Sequence, residues 1–298
     1  MCSSDLVRAA DTAVDLHRTI RLATILGTWQ STLTNFKYLR NTWKNNCDEE
    51  RLLGVSLTGI MDNEITNGKK GREELRSTLN AIRTHAVATN AEWAKKLGIP
   101  RSAAITCVKP SGTVSQLVDS ASGIHARHAP YYVRTVRADK KDPLAKMMID
   151  AGFPVEDDVM KPDHTYVFSF PMKTPENAVF RKDMTAIEQL ELWLEYQRHF
   201  CEHKPSVTIS VKEEEWMAVG SWVYDHFDEM SGVSFLPFSD HVYKQAPYQD
   251  CTKEDYEALL AKMPKNVDWT KLSENEKRDT TTGTQELACS ASGGCEVI

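Results

Sequence analysis

The chain has 298 residues, 41% of them hydrophobic and 26% charged, a balance typical of globular proteins and enough for one large domain or two small ones. Its 36 basic and 42 acidic side chains leave a net charge of −6, which argues against a grip on a nucleic-acid backbone and favours small ligands or protein partners. No apolar run approaches the roughly 18 residues of a membrane helix and no secretory segment follows Met1, so the thiols of Cys2, Cys47, Cys107, Cys201, Cys251, Cys289 and Cys295 read as those of a reducing, cytoplasmic protein.

The first six residues read as non-native: Cys2-Ser3-Ser4-Asp5-Leu6 is what one frame of a common sequencing adaptor encodes. A helix begins directly afterwards, with N-cap types Asp11 and Thr12 and with Leu16, Ile20, Ala23, Ile25 and Leu26 recurring toward Leu33. A long, mostly buried helix does not open a self-sufficient domain, so further chain is expected upstream. Apolar runs at 53–57, 104–108, 132–136, 166–170, 207–211 and 233–236 predict strands. Helical patterns occupy 72–97, 143–151, 186–203 and 213–230, the last opening on three glutamates, and Trp29, Trp193, Trp216 and Trp222 fall at core spacing. Strands alternating with helices of this length indicate an α/β fold with parallel pairing. The chain offers no Cys-x-x-Cys; Cys201-Glu-His203 and His125-Ala-Arg-His128 are its nearest approaches to a ligand pair, and no metal site is read.

The most informative local motif is Ile105-Thr-Cys-Val-Lys-Pro-Ser-Gly-Thr-Val-Ser115. A strand runs into a Pro-Ser-Gly-Thr turn and then a helix start, which offers backbone N–H groups and hydroxyls to a phosphate at Pro110, Ser111, Gly112, Thr113, Val114 and Ser115. The Gly-Lys-Ser/Thr ending of a Walker A loop is missing. The turn also fits an ordinary connection with an N-cap. From 266 to 286 the composition is polar, a flexible linker that ends in Cys289 and Cys295 separated by small residues. Such a pair can close a disulfide and reopen it, and about 25 flexible residues span about 25–30 Å by the random-coil rule.

Taken together, Arg21-Leu-Ala-Thr-Ile-Leu-Gly-Thr28, Glu50-Arg-Leu-Leu-Gly-Val-Ser-Leu-Thr-Gly-Ile60, Val108-Lys-Pro-Ser-Gly-Thr-Val-Ser115, Tyr131-Tyr-Val-Arg-Thr-Val-Arg137, Ser231-Gly-Val-Ser-Phe-Leu-Pro237 and the tail beginning Glu286-Leu-Ala-Cys289 resemble, in order, the catalytic chain of class II, adenosylcobalamin-dependent ribonucleotide reductases of the monomer type. The resemblance implies a ten-stranded α/β barrel, with residues 1–265 forming its second half and 266–298 a linker and cysteine-pair tail. It implies reduction of a ribonucleoside tri- or diphosphate by a thiyl radical that adenosylcobalamin initiates, and renewal of the enzyme by a thioredoxin-type donor. Pro110–Ser115 become the substrate-phosphate loop, and Cys289 and Cys295 the catalytic dithiol shuttle. One departure matters: the family's Asn-x-Cys-x-Glu finger loop, with the radical cysteine, is absent from these residues. The chain alone is therefore expected to lack turnover and to need the N-terminal half of the enzyme. Two other readings are a non-catalytic half-barrel partner of a split reductase and an unrelated thiol-redox protein.

Overall fold

The computed structural model describes residues 4–8, 13–112, 114–238 and 243–275. Strand β1 (Ser4–Arg8) leads through helices α1 (Ala13–Gln30) and α2 (Asn41–Glu50) to strand β2 (Gly54–Thr58), and helix α3 (Arg72–Leu97) leads on to β3 (Thr106–Cys107). The three strands form one parallel sheet in the order β1-β2-β3, with Ser4 opposite Gly54 and Val55 opposite Thr106. Parallel neighbours need long crossovers, which the helices supply. Ring contacts between α1 and α3 advance together, His17 on His85 and Trp29 on Trp93, so the two helices run in the same direction. Every residue of β2 is buried, as a central parallel strand covered on both faces requires. Glu73 and Glu74 in the first turn of α3 and Lys95 and Lys96 in its last complement the helix dipole, and Gly98 ends it at φ +66°.

The chain continues through the single-turn helix α4 (Val114–Leu117), strand β4 (Tyr131–Asp139), helix α5 (Pro143–Asp150), and strands β5 (Val155–Asp157) and β6 (Thr165–Lys173). Helix α6 (Ala186–His199), strand β7 (Ser206–Val211), helix α7 (Trp216–Asp225) and strand β8 (Gly232–Pro237) follow, then β9 (Tyr248–Asp250), α8 (Lys253–Lys262) and α9 (Leu272–Asn275). Strands β7 and β8 pair in parallel across α7, and the Ser206 N–H donates to Val108 C=O at 2.8 Å, tying the start of β7 to the chain just past β3. A thirty-residue core that includes Ile20, Leu57, Leu79, Trp193, Tyr196 and Ile209 lies between these strands and the helices.

The described residues fall into two compact units, one formed by those up to Arg127 together with 175–238 and the other by 128–174 together with 243–275. The first is the α/β unit of parallel strands. The second is built on an antiparallel sheet ordered β5-β6-β4-β9, in which Tyr132 pairs with Met172 on one side and Asp250 on the other. Asp142 caps α5 through the Leu144 N–H at 2.8 Å with Pro143 at its first position, and Thr252 and Asp255 form a capping box on α8. His128 is stacked on Tyr248, edge-on to Tyr132 and 2.6 Å from Asp250, so it belongs to the packing of this unit.

Strand and helix positions follow the sequence pattern closely, with instructive exceptions. Helix α6 stops at His199 rather than 203, because the Glu202 and His203 N–H groups turn to Thr106 C=O at 3.0 Å. The pattern at 213–230 is a 3₁₀ turn, α7, and a second 3₁₀ turn, broken at His226. Trp193 and Trp222 are buried, whereas Trp29 and Trp216 are partly exposed, and Leu26 also faces outward while Leu16, Ile20 and Ala23 carry the buried stripe of α1.

Candidate functional site

The turn that follows β3 is held by a knot of hydroxyl groups from β2 and from residues 119–123. Thr58 Oγ1 donates to Ala121 C=O at 2.9 Å, so the 2.8 Å contact between Thr58 and Ser111 uses the Ser111 hydroxyl proton. The Gly123 N–H donates to both hydroxyl oxygens, at 3.1 and 3.2 Å, and the Ser111 N–H donates to Ser122 Oγ at 2.9 Å. Lys109 N–H is taken by Ser56 Oγ at 3.0 Å. Gly123 lies at φ +53°, and a Cβ there would stand 2.8 Å from Lys109 C=O, so only glycine allows this approach.

The predicted phosphate residues therefore divide. Ser111 and Ser115 are buried, the first committed inward and the second with its N–H on Ser111 C=O at 2.8 Å. Pro110 is exposed and has no N–H. Among the described residues, neither the Gly112 N–H nor the Val114 N–H has an acceptor, and Val114 is 48% exposed. Thr113, Cys289 and Cys295 lie outside the described residues. With only one turn, α4 has little macrodipole to offer, so the donors of the turn rather than a helix field would meet an anion.

Asp62, Arg127 and Ser120, to which sequence reading gave no role, surround the turn together with His125, which it had noted beside His128. Arg127, 4% exposed in its side chain, donates from Nε and Nη2 to both oxygens of Asp62 at 2.8 Å, and Nη2 also reaches Asp119 C=O at 3.1 Å. Asp62 Oδ2 accepts the Ala121 N–H at 2.7 Å. His125 Nε2 accepts the Thr208 N–H at 3.0 Å, so its proton sits on Nδ1 and is donated to Ser122 C=O at 3.0 Å. Burial pushes the His125 pKa down, which keeps the ring neutral. The hydroxyl of Ser120, 2% exposed, has no partner among the described residues. The early signals were the His-x-x-His spacing at His125 and the place of Ser120 and Arg127 soon after the motif; Asp62 carried none.

A cleft of about 450 Å³ is lined by Leu53, Gly54, Cys107, Lys109, Glu202, His203 and Lys204. It is of drug-molecule size and too small for a corrinoid. Cys201 nearby is buried, and burial, with the Cys107 thiol beside it, raises its pKa well above the usual value, so it stays a protonated core thiol. Cys201 and Cys251 carry no disulfide among the described residues.

No family model matches the chain. An adenosylcobalamin-dependent ribonucleoside-triphosphate reductase of Euglena gracilis is 31% identical over 241 residues, covering 80% of this chain and 32% of the relative. A probable adenosylcobalamin-dependent ribonucleoside-triphosphate reductase of Dictyostelium discoideum is 30% identical over 262 residues, covering 86% and 32%, and a Lactobacillus gasseri reductase named as the Euglena protein is 24% identical over 276, covering 84% and 37%. A crystal structure of a B12-dependent, class II ribonucleotide reductase superposes with a TM-score of 0.76 over 93% of this chain and 42% of that one, at 20% identity. Over most of its length the chain is similar to adenosylcobalamin-dependent ribonucleoside-triphosphate reductases. It spans about a third of the length of the curated relatives it matches. The α/β architecture expected from the class II resemblance is the one observed.

Proposed function

We propose that this chain is the substrate-phosphate and dithiol-shuttle part of a ribonucleotide reductase that converts ribonucleoside triphosphates to 2′-deoxyribonucleotides. The observation that carries the reading is the turn after β3, where buried hydroxyls fix the backbone and leave the Gly112 and Val114 N–H groups without acceptors among the described residues. Backbone donors clustered in a turn suit phosphate oxygens. The triphosphate is preferred over the diphosphate because the curated relatives carry that substrate in their names.

Adenosylcobalamin, the cofactor named for the relatives, supplies radical initiation in the complete enzyme. The cleft in the described residues does not fit a corrinoid, so no step is routed through it. What the chain's own residues do is bind and orient: the turn holds the phosphates, and the tail bearing Cys289 and Cys295 carries electrons from a cytoplasmic thioredoxin-type donor to the active-site disulfide by thiol exchange. The N-terminal half supplies the finger loop, so this chain alone is inactive.

Val114→Asp in the full chain is the test of the turn. An acidic residue at the start of α4 does not disturb the fold, yet it repels phosphate. Tripolyphosphate followed by ³¹P NMR should bind the parent saturably and Val114→Asp about tenfold more weakly, a difference of about 1.4 kcal/mol. Absence of saturable binding by the parent, or equal binding by the variant, would remove the phosphate reading. For the tail, Cys289→Ser in the complete enzyme should stop multiple turnover with thioredoxin and spare turnover with a small dithiol. Equal loss with both reductants takes Cys289 out of the shuttle.

A further inference from the structure

We propose that Asp62 and Arg127 are positioning residues that hold the phosphate turn in its binding conformation, an inference that rests on the reading of residues 110–115 as a phosphate site. The ion pair joins the chain after β2 to the stretch from Asp119 to Arg127, about 60 residues further on. Asp62 follows β2, Arg127 precedes the second unit, and residues 119–123 lie between them. Both carboxylate oxygens are engaged by the guanidinium at 2.8 Å, and Oδ2 takes the Ala121 N–H as well. The same guanidinium holds Asp119 C=O at 3.1 Å, where Asp119 lies at φ +45°, a left-handed conformation that a non-glycine residue keeps only when its surroundings impose it.

From this clamp two short paths lead to the turn. Ala121 accepts the Thr58 hydroxyl and the Gly59 N–H, the latter at 2.8 Å, and Thr58 in turn accepts the Ser111 hydroxyl. Ser122 and Gly123, the next residues along, accept the Ser111 N–H and donate to the Ser111 hydroxyl. Ser111 is thus fixed at both its N–H and its hydroxyl by neighbours whose own position depends on Asp62 and Arg127. Stability alone does not account for such a pair. A buried ion pair replaced by apolar side chains is often no less stable, and what this pair adds is the geometry it imposes on Asp119 and Ala121. Among the described residues, the bonds of the pair run to each other and to Asp119 and Ala121. Their effect is carried by residues 119–123.

The experiment uses the full 298-residue chain. Arg127→Lys keeps the charge but loses the fork, and Asp62→Asn keeps an acceptor for Ala121 but loses the charge; if one fails to fold, the other serves. Amide exchange is compared at Ser111, Ala121 and Gly123 and, as reference, at Val55 in β2, whose N–H donates to Ile105 C=O. A folded variant should exchange at least about tenfold faster at the first three amides with no change at Val55, because the opening is local. Tripolyphosphate affinity by ³¹P NMR should fall at least about fivefold. Parent-like exchange at the three amides, or acceleration that includes Val55 equally, overturns the proposal. If the parent itself binds no tripolyphosphate, the phosphate reading fails, and the clamp is then judged on the exchange pattern alone.

Discussion

Gly123→Ala offers the most direct measure of how tightly the turn is built. Gly123 lies at φ +53°, and its new Cβ would meet Lys109 C=O at 2.8 Å, a backbone atom that no rotamer change can move aside. The left-handed conformation costs an alanine about 1–2 kcal/mol. Relieving the contact shifts residue 123 away from Ser111 and Thr58 and weakens the hydrogen bonds it donates to them, at a further cost of about 1–3 kcal/mol. The stiffer unfolded chain of the alanine variant offsets about 0.4–1 kcal/mol of this. The net expectation is a loss of about 2–4 kcal/mol, a fall of roughly 5–15 °C in Tm for a unit of this size. Gly98→Ala is the control. It stands at φ +66° with nothing within 4 Å of its added Cβ, so it bears the conformational cost without the collision. Urea unfolding of both variants isolates the contact as their difference. A Gly123→Ala loss no larger than that of Gly98→Ala would refute the account of the turn as a sterically closed knot.

Three further outcomes follow from neighbouring groups. His125 must stay neutral to accept from Thr208, and burial lowers its pKa; below about pH 6.5 the unfolded chain takes up a proton that the folded ring refuses, so stability should fall with pH by up to about 1.4 kcal/mol per unit. His85 shifts in the same direction through burial, so His125→Gln should flatten only part of that slope in chemical unfolding between pH 7 and 5, and a slope left wholly unchanged would count against it. Ser120→Ala removes a buried hydroxyl without a partner and should raise stability by about 1 kcal/mol in the same assay; a loss of that size would mean that the hydroxyl is satisfied. Glu195, 4% exposed, takes two hydrogen bonds from Arg76 at 2.6 and 2.7 Å, which hold its carboxyl below the usual range; Glu195→Gln should cost about 1–3 kcal/mol, less than a fully buried pair because Arg76 reaches solvent, and a change below 0.5 kcal/mol would make the α3–α6 contact apolar in origin.

The sequence alone determined much about this protein. Helix α3 was legible from end to end because its signals are local: glutamates in the first turn, lysines in the last, a glycine beyond. Strands β2, β4, β6, β7 and β8 stood out as short apolar runs, and ordered motifs pointed to the class II reductases before any fold was in view. The short strand β9 was invisible, since residues 248–250 are ordered by pairing with β4 rather than by their own pattern. The exposure of Trp29 was hidden for a related reason: helical spacing says which residues share a face, and only the packing of neighbouring elements says which face is covered.

Within the site, the motif marked where the turn would be, and tertiary structure decided what each residue in it does. Ser111 reads in sequence as a ligand hydroxyl, yet its proton is taken by Thr58, 53 residues earlier. Asp62 and Arg127 are 65 residues apart, and His125 and Thr208 are 83 apart. A hydrogen bond depends on position to a fraction of an ångström, and over such separations that position is set by the whole packed unit and not by the neighbouring residues in the chain.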